Sequence, residues 1–241
     1  MRQFYLTEHN CQIRYNACHE RGWTDSYLLS MDGTVAGYGA VLGQQISNRD
    51  TIFEFYTLPQ FRKQASKLFK VLISAAKVPF VECQTNDPLT TSMLYMFAHN
   101  IKSDVILWEA GVTSNFAVAN ATFRAWQDDD DMFDDDGQPA GDFVVEYEDE
   151  VVAAGGFLLH YNEPFADLYM ATKKAHRRKG FGALVLQGVK DVCFKAGRVP
   201  AARCNIDNLA SQATLWSAGL RPCGHMVKGT INSKRIANAG K

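Results

Sequence analysis

The sequence lacks the features that would place it in several large protein classes. Its six cysteines form no C-x-x-C pair, which argues against a disulfide scaffold in a chain of 241 residues. No uninterrupted apolar run is long enough for a transmembrane helix. The first residues, MRQFYLTEHNCQIRYN, have no apolar core of a signal peptide. We therefore expect a cytoplasmic protein without a membrane partner.

An excess of charge of one sign is also lacking. The net charge is −1, so the overall field predicts neither a nucleic acid nor an anionic membrane as partner. The basic run KKAHRRK, residues 173–179, could be a nucleic-acid patch. However, it contains no interleaved aromatic residues that would stack on bases. We expect no nucleic-acid partner.

Metal-ligand spacings are missing as well. Cys11, Cys18 and His19 match no zinc signature, so we expect no metal. Cys223 and His225 alternate on a predicted strand and would share a face. A thiolate–imidazole nucleophile at that face is an alternative that the sequence leaves open.

One acidic segment divides the chain. Residues 127–141, QDDDDMFDDDGQPAG, hold seven aspartates followed by Gly and Pro. Like charges repel and Gly and Pro interrupt regular structure, so this segment is predicted to be a solvated linker. Its alternative role is an acidic lip that attracts a cationic substrate. The boundaries predict domains at residues 1–126 and 142–241.

The two halves repeat one order of elements. Each reads as a hairpin, a strand, a helix, a strand and a second helix, and the second half adds a final strand, LRPCGHMVKGTI. Arg62 corresponds to Arg177 and Asn86 to Asn205, shifts of 115 and 119 residues. The fold class is therefore α/β, as two copies of a mixed β-sheet with helices on its faces.

The stretch HRRKGFGALVLQG, residues 176–188, predicts an anion site. A strand leads into the basic cluster, and a helix begins near Gly180. The first amides of that helix lack intrahelical partners and lie at the positive end of its dipole. Gly180 and Gly182 allow a ligand to approach the backbone. We expect phosphate or pyrophosphate here, although no P-loop and no G-x-G-x-x-G motif is present.

The segment RRKGFG, Arg177 to Gly182, resembles the R/Q-x-x-G-x-G/A motif of the GCN5-related N-acetyltransferase (GNAT) superfamily. The stretch NLASQATLWSAGL, Asn208 to Leu220, resembles the second signature of that family. The resemblance covers most of residues 142–231. It implies acyl-CoA N-acyltransferase domains with acetyl-CoA as donor.

The resemblance also implies which residues hold the donor. The pyrophosphate would lie on the amides of the glycine loop, and the pantetheine arm beside the preceding strand. Asn208 matches the motif asparagine, and it is equally well placed to be a helix N-cap. The implied cofactor-binding residues are Met170, Ala171, Thr172, Arg177, Arg178, Lys179, Gly180, Phe181, Gly182, Ala183 and Asn208.

The first half resembles the family more weakly. Ala65 and Lys67 replace the two loop glycines in LPQFRKQASK, and a Cβ at both points should obstruct a pyrophosphate. We interpret residues 1–126 as a degenerate copy that has lost CoA.

The sequence offers rival candidates for the catalytic groups. The family often has a tyrosine acid four residues before the motif glycine, and Leu215 occupies that position here. Asp167 and His160 are the candidate bases. Tyr161, Asn162 and Tyr169 are candidates to line the acceptor pocket.

The sequence therefore predicts an acetyl-CoA-dependent N-acetyltransferase that uses the second half of the chain and acts on a small-molecule or peptide amine. The alternative is a non-catalytic CoA-binding or interaction protein. A homodimer is possible if the last strand is an exposed edge that pairs with a neighbouring chain.

Overall fold

The computed structural model describes residues 1–13, 15–130 and 141–238. Most of the predicted linker, residues 131–140, lies outside the described residues. The helices are α1 (Arg2–Glu8), α2 (Tyr15–Glu20), α3 (Ala65–Ala76), α4 (Pro88–Phe97), α5 (Phe181–Lys195), α6 (Leu209–Ser217) and α7 (Ser233–Asn238). The strands are β1 (Thr24–Met31), β2 (Thr34–Leu42), β3 (Thr51–Thr57), β4 (Phe80–Gln84), β5 (Ala98–Ala110), β6 (Ala121–Ala125), β7 (Phe143–Tyr147), β8 (Glu150–Leu158), β9 (Phe165–Thr172), β10 (Val199–Asn205) and β11 (Leu220–Ile231).

The chain forms two compact units. Unit 1 contains residues 1–105 and 224–241, and unit 2 contains residues 106–223. The unit boundaries fall within β5 and β11, whereas the boundary predicted from the sequence, at residues 127–141, lies inside unit 2. Compact units are defined by contacts between residues, so they do not test whether the two halves of the sequence are copies of one domain. That division stays a prediction.

Unit 1 is a mixed sheet with the strand order β1-β2-β3-β4-β11-β5. The β1–β2 hairpin turns at Asp32 and Gly33, which both have positive φ, as a tight two-residue turn requires. The helix α3 buries Leu68, Phe69 and Leu72 against the sheet. These residues follow helical spacing, as the sequence predicted.

Unit 2 repeats this plan with the strand order β5-β10-β9-β8-β7-β6. The helix α5 covers one face of the sheet, and its buried residues include Phe181, Val185 and Val189. It ends at Lys195, and Gly197 comes two residues later with a φ of +73°. A glycine with positive φ just beyond a helix is the predicted C-terminal cap.

The repeat is visible in individual hydrogen bonds. The Arg62 Nε donates to the Thr57 carbonyl at 2.9 Å, and the Arg177 Nε donates to the Thr172 carbonyl at 3.1 Å. Each arginine therefore folds back onto the last residue of a central strand, β3 or β9. The predicted correspondence of Arg62 with Arg177 is consistent with this geometry.

The correspondence of Asn86 with Asn205 needs a correction. The N-caps of α4 and α6 are Asp87 and Asn208, and each side chain accepts a hydrogen bond from the amide three residues later. Aligning the caps gives a shift of 208 − 87, or 121 residues, in place of 119. Asn86 then corresponds to Asp207.

The expectation of an exposed last strand is wrong. Residues Met226–Thr230 of β11 pair antiparallel with Gln84–Phe80 of β4. Because β11 lies between β4 and β5 in the sheet order, it offers no free edge to a neighbouring chain.

A buried ionic cluster joins the two N-terminal helices to β3. The Glu54 carboxylate is fully buried and accepts hydrogen bonds from the Arg2 guanidinium and the Tyr38 hydroxyl. The His19 Nε2 lies 3.0 Å from Glu54 Oε2. Burial raises the pKa of Glu54, but the bonds from His19 and Arg2 outweigh it, and the net pKa is lowered. The ionised form of Glu54 therefore stabilises the folded state.

We predict that Glu54→Gln destabilises unit 1 at neutral pH by about 3 kcal/mol, because it removes the buried counter-charge of Arg2. Since the folded-state pKa of Glu54 is lowered, its contribution is complete above the unfolded value. It is lost as the pH falls through the folded value. Urea unfolding should thus show a smaller difference between wild type and variant at pH 4 than at pH 7.

The matched control is Glu8→Gln, since Glu8 pairs with Arg62 near the surface and should contribute less than about 1 kcal/mol. Hydrogen exchange of the β3 amides assigns the loss to unit 1. Equal stability of wild type and Glu54→Gln at pH 7 would contradict this role.

Candidate functional site

A cavity of about 790 Å³ lies in unit 2, beside the point where β9 and β10 part. The two strands are parallel, but their register covers only Phe165–Asp167 and Val199–Ala201. Beyond Asp167, β9 continues towards the glycine loop while pairing with β8. The volume is typical of a small-molecule site. The divergence of two parallel strands therefore opens the sheet.

The glycine loop forms one wall of this cavity. Arg178 and Gly180 have φ values of +65° and +92°, and Gly180 is the N-cap of α5. In the described part of the chain, the backbone amides of residues 178–182 donate no hydrogen bond. They lie at the positive end of a 15-residue helix. The loop therefore presents unused donors where an anion is favoured.

Gly182, the second glycine of the loop, has little room for a side chain. A Cβ on Gly182 would lie 3.2 Å from Thr172 Oγ1, 3.2 Å from Thr214 Cγ2 and 3.3 Å from Met170 Sδ. The backbone of Gly182 therefore fits between the end of β9 and the helix α6. A larger side chain at this position would fill the space between those two elements.

Positive charge surrounds the loop. Arg177, Arg178 and Lys179 are all exposed, and they come in succession directly before Gly180. His176 contacts Glu150 through Nε2 at 3.2 Å. The loop thus combines solvent-facing cations with backbone donors, as the sequence predicted for a polyanion.

Most of the predicted cofactor residues line the cavity, and only Lys179 is absent from its wall. Asn208 lines the cavity and also caps α6, since its Oδ1 accepts a hydrogen bond from the Ser211 amide at 3.0 Å. The predicted residues in the wall are Met170, Ala171, Thr172, Arg177, Arg178, Gly180, Phe181, Gly182, Ala183 and Asn208.

Sequence reasoning missed the opposite wall. One face of α6 lines the cavity with small side chains, at Ala210, Ser211, Ala213, Thr214 and Ser217. Their spacing is helical, so the signal was present in the sequence as a stripe of small residues. It was overlooked because such a stripe equally fits helix packing.

Phe116 was missed for a different reason. It precedes the acidic segment, yet it lines the cavity and lies against Gly180, where a Cβ would be 2.6 Å from its ring. The Gln187 side chain holds it by accepting from the Phe116 amide at 2.7 Å and donating to the Phe116 carbonyl at 3.1 Å. No local pattern in the sequence connects Phe116 with α5.

A buried lysine fixes the same segment. Lys190 on α5 is only 3% exposed, and its Nζ donates to the carbonyls of Val112 and Ala218 at 3.0 and 2.7 Å. Burial lowers the pKa of Lys190. Lys190 therefore ties the start of this segment to the end of α6.

The two candidate bases lie in contact. His160 Nε2 is 3.1 Å from Asp167 Oδ2, and the side chains are 22% and 14% exposed. Asp167 is the last residue of β9 that pairs with β10. Its neighbours Ala166 and Leu168 pack in the core under α5, so Asp167 faces the opposite side of the sheet. The structure thus brings together two residues that the sequence offered as rivals.

The three candidate acceptor residues differ in exposure. Tyr161 and Asn162 are each 1% exposed and are not part of the cavity wall. Tyr169 lies two residues beyond Asp167 on β9 and is partly exposed on the same face. Of the three, only Tyr169 can contact a ligand directly.

No tyrosine replaces the missing acid at Leu215, which is buried in the core of unit 2. The hydroxyls of Thr214 and Ser217 line the cavity nearby, but they bond to the carbonyls of Ala210 and Ala213 in their own helix. The described cavity wall therefore contains no tyrosine, and His176 is its one imidazole.

The corresponding region of unit 1 is closed. Thr90, the equivalent of Ser211, is fully buried; its hydroxyl donates to the Asp87 carboxylate at 2.6 Å and lies 3.3 Å from the Phe55 carbonyl. The buried Thr90 side chain thus packs α4 directly against β3 where unit 2 has its cavity. The Arg62 guanidinium contacts the Glu8 carboxylate, so the chain supplies its own anion at this arginine.

Within the described residues, no group of three or more His, Cys, Asp or Glu side chains is arranged to hold a metal ion. Cys11, Cys18 and His19 are among the residues to which this applies. No described helix has the length and apolar character needed to cross a membrane.

The model of the acetyltransferase (GNAT) family matches residues 112–216. This range contains nearly all of the cavity wall, Phe116 included. A search of the curated proteins found no match to the sequence.

Solved structures agree on the fold. A GNAT-family acetyltransferase from Colwellia psychrerythraea superposes with a TM-score of 0.66 at 15% identity, covering 86% of this chain and 85% of that one. A GCN5-related N-acetyltransferase from Sphaerobacter thermophilus gives 0.54 at 13% identity, with 86% and 81% covered. A tandem GNAT protein from the clavulanic acid biosynthesis pathway gives 0.55 at 11% identity, with 86% and 82% covered. At these identities the likeness concerns the fold.

We predict that Gln187→Ala releases the segment around Phe116, because both backbone bonds of that residue go to the Gln187 amide. Amide exchange at Phe116 should accelerate by about tenfold, the factor for a net bond of roughly 1.4 kcal/mol. Asp191→Ala, an exposed change one turn later on α5, is the control. Unchanged exchange at Phe116 in Gln187→Ala would show that other contacts hold the segment.

Proposed function

Because residues 112–216 match the acetyltransferase (GNAT) family, a family of acyl transfer from acyl-CoA, we propose that unit 2 transfers an acetyl group from acetyl-CoA to a primary amine. One observation carries this proposal. The backbone amides of residues 178–182 donate no hydrogen bond within the described chain, and they lie at a cavity between β9, α5 and α6.

The loop fits a pyrophosphate in both charge and shape. Each hydrogen bond to a charged group contributes about 1.5–3 kcal/mol, and micromolar binding needs about 8 kcal/mol. A few of the free loop amides together with Arg177 or Arg178 therefore suffice. Gly182 keeps the backbone open to the ligand beside Met170 and Thr172.

The pantetheine arm has a path along β9. The residues Met170, Ala171 and Thr172 line the cavity on the side of β9 that has parted from β10. Apart from the Thr172 carbonyl, which accepts from Arg177 Nε, the backbone groups that these residues direct away from β8 are available to an extended ligand. The path points towards Asp167, the last paired residue.

His160 is the base in this proposal. An amine that attacks a thioester must lose a proton, and His160 lies on the face of the sheet that the acceptor would approach. Asp167 orients the imidazole through the 3.1 Å contact and is a positioning residue. The amine nitrogen forms its bond to the carbonyl carbon, the carbon–sulfur bond breaks, and solvent protonates the thiolate.

A non-catalytic CoA-binding protein is the second candidate. The observation that favours it is the core position of Leu215, which leaves the described cavity wall without a tyrosine as acid. The two candidates share the donor site and differ in turnover, so they need separate experiments.

We predict that calorimetric titration with acetyl-CoA gives one site per chain. Gly182→Glu should abolish it, since the new carboxylate would stand against the pyrophosphate and between Met170 and Thr214. The double variant Ala65→Gly/Lys67→Gly should still give one site, because Thr90 closes unit 1 regardless of the loop.

A second site in the double variant would show that the loop glycines alone decide binding. No binding by the wild-type protein would overturn the proposed donor site.

We further predict that His160→Gln lowers kcat/KM by about 10²–10³-fold with an unchanged acetyl-CoA affinity, since general-base contributions are of this order. Asp167→Asn should reduce kcat less and alter the pH profile, because it disturbs the orientation of the imidazole. His99→Gln, an exposed histidine of unit 1, is the matched control. A full rate in His160→Gln over the whole pH range would exclude His160 as base.

A further inference from the structure

Asp167, which orients the proposed base, lies in a cross-strand row. Leu158 of β8 pairs with it on one side, and Ala201 of β10 pairs with it on the other. Side chains that are paired directly across neighbouring strands point to the same face of a sheet. The His160 imidazole contacts Asp167, so the proposed base lies against this row.

The row lies on the face of the sheet opposite α5. A Cβ on Gly155 would be 3.3 Å from Val185 of α5, so Gly155 faces the helix. The next residue, Gly156, faces the other side, where its Cβ would lie 2.5 Å from the Tyr169 hydroxyl. Gly156 pairs with Tyr169 two residues along from the row. The Tyr169 ring is therefore a neighbour of Asp167 on this face.

The β8 side of the row is apolar. Leu158 is 41% exposed, although it is a large apolar side chain within a strand, and Leu159 after it is 62% exposed. Residues 151–158 of β8 have no polar side chain. Together with the Tyr169 ring, these leucines form a hydrocarbon surface directly beside the proposed base.

The β10 side of the row carries a positive charge. Ala202 and Cys204 pack in the core under α5, so Ala201 and Arg203 point to the face of the row. Arg203 is exposed, and in the described part of the chain it makes no hydrogen bond or ion pair. It lies two residues, roughly 7 Å, beyond Ala201 along the strand. Its long side chain can therefore reach an acceptor that is held at His160.

The other arginine beside β10 is not available in this way. Arg198 precedes the strand and donates to the Glu163 carboxylate at 2.9 Å, so the chain itself supplies the counter-charge. Arg203 has no such partner among the described residues. An unpaired guanidinium favours a carboxylate, which it can bind through two parallel hydrogen bonds, and it repels a second ammonium.

We propose that the acceptor is a free α-amino acid with an apolar side chain. Its amine lies at His160, its carboxylate at Arg203, and its side chain on Leu158 and Tyr169. This inference rests on the proposed function, because it names the acceptor class of the same site. Neighbouring strands supply the contacts, with β8 and β9 holding the apolar group and β10 the carboxylate.

The carboxylate contact is tested with leucine, leucinamide and isopentylamine, which share one hydrocarbon group and differ in the carboxylate. With kcat/KM calculated for the unprotonated amine, the wild-type protein should prefer leucine by about tenfold, the effect of one charge-assisted contact. Arg203→Gln should abolish this preference through the KM of leucine. Arg203→Lys should retain part of it, because the charge stays and the planar fork is lost. Arg21→Gln, an exposed arginine of unit 1, is the matched control and should keep the preference.

The apolar contact is tested with the series glycine, alanine, α-aminobutyrate and norvaline. Each added carbon that becomes buried should raise kcat/KM by about fourfold, the transfer effect of one methylene group. Leu158→Ala should flatten this dependence, whereas Leu28→Ala, an exposed leucine of β1, should not. Equal rates for every amino acid of the series in the wild-type protein would contradict the apolar side chain.

A binding measurement separates this inference from the proposed function. Calorimetric titration of leucine into protein saturated with CoA should show binding that Arg203→Gln weakens about tenfold. If that binding is seen but no amine is acetylated, the amino-acid inference stands and the proposed function fails. If leucine and leucinamide are acetylated equally well, the inference is overturned and the proposed function stands. If leucine binds no better than leucinamide, the inference is overturned whatever the turnover.

Discussion

The short parallel register of β9 and β10 is the constraint on which the site depends. Two parallel strands that pair over only three residues each and then part leave backbone groups without sheet partners. An extended ligand can satisfy such groups, and so can the chain itself. Other elements of unit 2 surround this opening. The helix α5 directs its first amides to one end, and α6 lines the side with small residues. Asp167, the last residue of β9 that pairs with β10, lies at the other end.

In unit 1, the chain's own residues close the corresponding opening between β3 and β4. The register of β3 and β4 is also short, at Thr51–Ile52 with Phe80–Val81. There the buried Thr90 side chain lies against the Phe55 carbonyl, and Glu8 accepts a hydrogen bond from Arg62. The N-terminal helices are fixed by the Glu54 cluster. The two loop substitutions seen in the sequence, Ala65 and Lys67, are therefore one part of a larger change that fills the opening with protein.

The sequence predicted the elements with strong local patterns. The strand β9, the helix α5 with its glycines, and the N-cap Asn208 all follow from short-range signals: alternation, helical spacing and capping chemistry. It could not predict the long-range arrangement. The position of β11 beside β4, the role of Phe116 at Gly180, and the contact between His160 and Asp167 each join residues that no local pattern connects.

The proposed donor and acceptor sites face opposite sides of one sheet, and the chemistry depends on that separation. Met170 and Thr172 face α5 and the donor cavity, while Asp167 and Tyr169 alternate with them towards the other face. A thioester that reaches the point of divergence at Asp167 is therefore exposed to an acceptor that never enters the donor cavity. Leu215 belongs to the core beneath, so in the proposed reaction no tyrosine at this position protonates the leaving thiolate. On the proposed acceptor face, β9 carries Asp167 and Tyr169, and the strands β7, β8 and β9 contain no lysine or arginine.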